Sequence, residues 1–146
     1  MTKVEAIRQA IERGDGDQLA TLVPFAKFMG ITMDMSGDEL IGHMKFADHI
    51  IGNARLPALH GGALGTLLES TAIFKLLWKA QTVAVPKTVN ITVEYLRSGK
   101  AIDTYASASF TKLGRRVANV RAYAWQDDRD KPIAAANAHF LLTPDE

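Results

Sequence analysis

The chain has 146 residues, 47% hydrophobic and 23% charged, a composition that fits one soluble globular domain and excludes a disordered or fibrous chain. Lys and Arg number 17 against 16 Asp and Glu, a net charge of +1, and no long like-charge run or aromatic-rich basic face speaks for nucleic acid as a partner. Cysteine is absent, which rules out disulfides, thiol nucleophiles and thiolate metal sites.

Thr2 followed by Glu5 predicts a capping box, after which Val4, Ile7 and Ile11 fall on one stripe of a short amphipathic helix. Lys3 and Glu5 put charge where a signal peptide would carry its apolar core, and no uncharged stretch reaches the roughly 18 residues of a membrane span. The expected location is the cytoplasm. Gly14-Asp15-Gly16 breaks the helix, Asp17 is placed to cap a second one, and Pro24 prevents that one from continuing unkinked. Residues 29–47 predict one or two strands with a turn near Ser36-Gly37-Asp38. A loop from Gly52 to Pro57 then leads into a long helix, from about Gly61 to about Ala80.

After that helix the period of the pattern changes from 3.6 to 2. Val89, Ile91, Val93 and Tyr95 alternate with Thr88, Asn90, Thr92 and Glu94, and Ser98-Gly99 ends the run. Ile102 to Lys112 and Val117 to Trp125 alternate less cleanly about a turn at Leu113-Gly114. Asp127 to Pro132 is a second polar turn, and Ile133 to Leu142 is the last strand. Short turns between consecutive strands predict an antiparallel meander, and one apolar helix followed by such a sheet predicts an α+β fold with the sheet curled around the helix. The expected organisation is a single domain over residues 1–146, with residues 1–28 as an N-terminal helical extension.

The segment Ala63 to Phe74 is apolar on every face of a helical wheel, as for a helix enclosed by other structure, and Glu69 is its only charged residue. A structural ion pair or hydrogen bond is one role for such a carboxylate. The other is general base, since desolvation makes it a stronger one. His60-Gly61-Gly62 opens the helix, where backbone N–H groups lack partners and the peptide dipoles sum to partial positive charge. Gly61 and Gly62 thus suit the polarisation of a carbonyl. Gly61 and Glu69 are eight residues apart, roughly 12 Å along one helix at 1.5 Å per residue, too far for one chain to close a site comfortably. Two helices packed side by side in opposite directions would bring the glycine end of one chain to the glutamate of the other, which predicts a homodimer with shared sites. Lys112, Arg115 and Arg116 surround the turn at Gly114, as a solvated hairpin or as a clamp for phosphates. His43, His49, His60 and His139 lack metal-ligand spacing, so no metal is expected, and Asp127, Asp128 and Asp130 read as a solvated turn. Phe74, Trp78, Phe28 and Met33 are candidates either for a pocket lining or for plain core.

Gly52-Asn53, Leu59-His60-Gly61-Gly62, Glu69 and the strand Thr88 to Arg97 together resemble the hotdog-fold acyl-CoA thioesterases of the phenylacetate-degradation (PaaI-like) type, over roughly residues 29–143. The resemblance implies that Glu69 is the general base or nucleophile and that the Gly61 N–H polarises the thioester carbonyl, with His60 shaping the turn. It implies dimers with sites between subunits, often paired into tetramers, and coenzyme A phosphates on the turn of Lys112, Gly114, Arg115 and Arg116. Asn53, Gly62 and Asn90 complete the expected substrate contacts. No separate cofactor is implied, because coenzyme A is part of the substrate. Two departures stand out. Family members often carry Asn or Gln six residues before the histidine, where this chain has Ala54 with Asn53 one step earlier. Some carry a hydroxyl one turn after the carboxylate, where this chain has Ile73; Ser70 or Thr71 could substitute, or the site is drier. The N-terminal helices lie outside the motif and are expected to cover an end of the sheet or the acyl pocket. Hydrolysis of an acyl-CoA thioester is the leading reading. A hotdog enoyl-CoA hydratase or dehydratase and a non-catalytic acyl-CoA-binding module are the alternatives.

Overall fold

A computed structural model of the chain describes residues 1–79 and 84–142. Helix α1 spans Lys3–Glu12 and starts on the predicted box: the Thr2 hydroxyl accepts from the Glu5 N–H at 3.1 Å, and the Glu5 carboxylate accepts from the Thr2 N–H at 2.7 Å. Its buried side is Ile7, Ala10 and Ile11. Gly14, at φ +65°, turns the chain through the left-handed region that favours glycine. The break therefore ends one residue earlier than expected, and Asp15, not Asp17, caps helix α2 (Gly16–Leu22) by accepting from the Gln18 N–H at 2.9 Å. Pro24 opens the short helix α3, Pro24–Phe28, at a position where a missing N–H costs nothing.

Strands β1 (Ile31–Asp34) and β2 (Ile41–Met44) form the expected hairpin about Ser36-Gly37-Asp38. Beyond them the chain departs from the expected plain loop: β3 (Ile51–Asn53) and β4 (Ala58–Leu59) pair as a small separate ribbon. Helix α4 runs Gly61–Lys79, and the expected end at Ala80 falls outside the described residues. Strands β5 (Lys87–Tyr95), β6 (Thr104–Leu113), β7 (Val117–Trp125) and β8 (Ala134–Leu141) follow. The antiparallel sheet has the order β1-β2-β6-β7-β8-β5. Only β6, β7 and β8 follow one another as a meander. β5 pairs with β8 and lies at the sheet edge, a correction to the meander reading, because alternation sets which face of a strand is buried but not which neighbour it takes.

The sheet wraps α4, the arrangement expected of a hotdog fold. Its inner face is built from small residues, among them Ala106, Ala108, Ala122, Ala124, Ala136 and Ala138, all buried. This floor admits the leucines of α4. Leu64, Leu67, Leu68 and Leu76 are 0–2% exposed, and each fully buried leucine contributes about 1.5–3 kcal/mol. Large residues on the helix against small ones on the strands keep the interior close-packed. The two approach closely at Gly42 of β2, where a Cβ would overlap the Thr71 hydroxyl of α4.

The enclosure of α4 is incomplete within one chain, contrary to the reading of its wheel. Gly62 is exposed and Thr66, Glu69 and Ile73 are half-buried, so one stripe of the helix stays open. Beside that stripe, β5 is an edge strand with one unpaired side among the described residues, and its Val89 is 61% exposed. Among the described residues no helix is long and apolar enough to cross a membrane.

Candidate functional site

The N-terminus of α4 is tied down on three sides. The His60 N–H donates to the Ile50 carbonyl at 2.8 Å, the Leu59 N–H to the Gly99 carbonyl at 2.9 Å, and the Tyr95 hydroxyl to the Gly61 carbonyl at 2.8 Å. His60 Nδ1 accepts from the Gly62 N–H at 2.9 Å, so His60 acts here as the cap of the helix. The Gly61 N–H, by contrast, has no acceptor among the described residues. Of the two glycine amides it is the one left free for a ligand. The Tyr95 ring packs against this spot and leaves no slack, since a Cβ on Gly61 would lie 3.1–3.2 Å from it.

Glu69 sits two turns further along α4 on the open stripe. Its Oε2 accepts from the Thr88 hydroxyl of β5 at 2.9 Å, so the carboxylate has a neutral partner and, among the described residues, no cation. Thr88 faces inward with Ile91 and Val93, which pack on the core, and the register shift between Thr88 and Asn90 keeps it so. Asn90, expected at the site, points to the opposite face of the sheet and its Oδ1 lies 2.9 Å from His139 Nδ1. Asn53 Oδ1 accepts from the N–H groups of Arg55 and Leu56, at 3.0 and 3.4 Å, and so shapes its own turn. Thr71 is fully buried and donates to the Leu67 carbonyl, which removes it as a substitute hydroxyl, whereas Ser70 stays half-buried.

Lys112, Arg115 and Arg116 are all exposed around the β6–β7 turn, which Gly114 closes by donating its N–H to the Val117 carbonyl at 3.0 Å. Register places this turn at the Thr88 end of the sheet: Leu113 pairs with Ala118, Ala118 with Phe140, and Phe140 with Thr88. Three strand spacings separate them, ~14 Å. Tyr95 and Gly61 mark the opposite end, on the row of Ala134, Ala124 and Ala106. Within one chain the structure thus joins Glu69 with Thr88 and sets the basic turn at their end, while it leaves the Gly61 N–H at the far end. Sequence reasoning missed Thr88 and Tyr95. Both stand in a cleanly alternating strand, where Thr88 is one of several polar positions and Tyr95 reads as one more apolar tooth.

Of the four pocket candidates, Met33 is core and Phe28 is exposed, with its ring centroid 4.7 Å from that of His49. Trp78 is half-buried beneath the Lys79 ammonium, 4.0 Å from the ring centroid. Phe74 lines a cavity beside α4, and Trp78 lines a second one with Arg8, Ile11, Glu12 and Leu77. Among the described residues no three His, Asp or Glu side chains converge as metal ligands.

A family model described as the thioesterase superfamily matches residues 56–133. A medium/long-chain acyl-CoA thioesterase of Salmonella typhimurium, YigI, is 22% identical over 142 residues, covering 87% of this chain and 90% of that protein. Among solved structures, a protein of Chromobacterium violaceum superposes with a TM-score of 0.79 at 36% identity, covering 97% of this chain and 99% of the other. A putative thioesterase of Ralstonia eutropha, described as phenylacetic acid degradation-related, gives a TM-score of 0.75 at 22% identity over 92% of this chain and 98% of its own.

Proposed function

The chain belongs to the thioesterase superfamily, and on that footing we propose that it hydrolyses an acyl-CoA thioester to the free acid and coenzyme A. The observation that carries this reading is the pairing of a lone carboxylate, oriented by the Thr88 hydroxyl, with a helix that offers one free N–H at its start. Glu69 takes a proton from water as the water oxygen bonds to the thioester carbon. The carbonyl oxygen gathers negative charge at the Gly61 N–H, where the dipole of α4 adds to the hydrogen bond. The C–S bond then breaks, and the proton held by Glu69 passes to the departing thiolate. Direct attack by the carboxylate, with water hydrolysing the resulting anhydride, uses the same two groups.

Glu69 and Gly61 of one chain stand roughly 12 Å apart along α4, so the complete site draws on two chains. The open stripe of α4 and the unpaired edge of β5 support a partner there: a second copy running in the opposite direction continues the sheet across β5 and sets its Gly61 against this chain's Glu69. The basic turn, at the Glu69 end, supports a role for Lys112, Arg115 and Arg116 in holding the coenzyme A phosphates.

Release of free thiol from a panel of acyl-CoA esters tests the reaction. Glu69→Gln is expected to fold as wild type and to be slower by about 10²–10⁴-fold. Equal rates would remove Glu69 from the mechanism. Water addition to an enoyl-CoA without thiol release would identify a hydratase instead, and tight binding without turnover a binding module. Arg115→Ala combined with Arg116→Ala should raise KM for a coenzyme A ester but not for a thioester that lacks the phosphates, and an equal change in both would sink the clamp. A light-scattering mass of one chain would end the shared-site reading.

A further inference from the structure

Helix α1 lies across the C-terminal half of α4 and lines with it a partly open cavity of about 350 Å³. Val4 and Ile7 of α1 form one wall, and Ser70, Ile73, Phe74 and Leu77 of α4 form the other. The first α4 residue of the lining is Ser70, next in sequence to the candidate carboxylate Glu69. Ile73 is one turn beyond Glu69 on the same side of α4, ~6 Å along the axis, and Leu77 is two turns beyond, ~12 Å. Ile73 makes this end of the cavity apolar. Lys3 is the one charged residue of the described lining, and the Ser70 hydroxyl the one other polar side chain.

From this geometry we infer that the cavity receives the acyl group, that the group is an unbranched aliphatic chain of medium length, and that the α1 wall limits the room it has. The inference rests on the reading of Glu69 as the catalytic carboxylate of an acyl-CoA hydrolase. The volume equals roughly a dozen water volumes at ~30 Å³ each, and a methylene group is of similar size, so a chain of about ten carbons fills it. An acyl group with hydroxyls along its length finds almost no partners in such a lining and would leave its polar atoms unpaired there. Val4 and Ile7 of α1 form the wall that faces α4 across the cavity. That wall is a built element, since the capping box fixes the start of α1 and its buried residues Ile7, Ala10 and Ile11 hold it on the core.

Val4 is half-buried and can be changed without opening the core. Val4→Trp narrows the cavity and is expected to lower kcat/KM for decanoyl-CoA by about tenfold or more while butyryl-CoA changes by less than about twofold. Val4→Ala enlarges it and is expected to move the preferred chain length upward across a butyryl to palmitoyl series. Equal loss on both esters in Val4→Trp, or an unmoved profile in Val4→Ala, overturns the inference and leaves the hydrolase reading standing. If wild type releases no thiol from any ester, the hydrolase reading fails, and calorimetry with the same esters still tests the cavity. Wild type should then bind decanoyl-CoA more tightly than butyryl-CoA, with the difference gone in Val4→Trp; equal affinities in wild type overturn it.

Discussion

Replacing Thr88 by valine removes a hydroxyl and leaves the volume of the side chain almost unchanged, which isolates one hydrogen bond. That bond runs from Thr88 Oγ1 to Glu69 Oε2 at 2.9 Å and is the only side-chain contact that orients the carboxylate among the described residues. Hydrogen bonds to charged groups contribute about 1.5–3 kcal/mol. Thr88 is exposed, so water replaces part of the loss and the lower end of that range applies. At 1.36 kcal/mol per decade, kcat in Thr88→Val should fall by about tenfold. KM should stay as in wild type, because the hydroxyl positions the base and holds no part of the substrate in this reading. Thr88→Ser keeps the donor and should recover most of the rate. Steady-state thiol release from one acyl-CoA, measured for the three proteins side by side, decides the matter. Wild-type kcat in Thr88→Val, or a Ser variant as slow as the Val variant, refutes Thr88 as the positioning residue.

Gly42→Ala should destabilise the protein by about 1–3 kcal/mol, because the new methyl overlaps the Thr71 hydroxyl and lies 3.3 Å from Leu67 Cδ1 in the buried seam between β2 and α4. Denaturant midpoints measure this, and adding Thr71→Ala should return part of the loss; an unchanged midpoint in Gly42→Ala contradicts the packing described. Asp103 titrates below the usual carboxylate range, first because it accepts the Phe46 N–H at 2.8 Å and second because His43 lies 2.8 Å from its other oxygen. A depressed folded value stabilises the fold at pH above the ordinary carboxylate range, near 4, and that contribution is lost as pH falls through the folded value. Asp103→Asn should therefore flatten the acid limb of a plot of urea midpoint against pH, and an acid limb as steep as wild type's would rule this carboxylate out as a source of it.

Local features were legible in the sequence where the physics is local. The capping box at Thr2 and Glu5, the stop at Pro24, the β1–β2 turn and the change of period after α4 each depend on residues a few positions apart, and the structure shows each of them. The separation of Gly61 from Glu69 was equally readable, since helical rise alone sets it. Tertiary structure decided the rest. It placed β5 at the sheet edge, and it turned Asn90 to the face away from α4. It brought Thr88 to Glu69 across 19 positions of sequence and spent the Gly62 N–H on His60, leaving that of Gly61 without an acceptor among the described residues. It also made sense of alanine-rich strands with low intrinsic preference for sheet, which form because only small residues let the leucines of α4 sit so close. Periodicity reports which face of an element prefers to leave water. Which elements then meet, and which polar atoms find a partner, depends on how all the buried faces pack together at once.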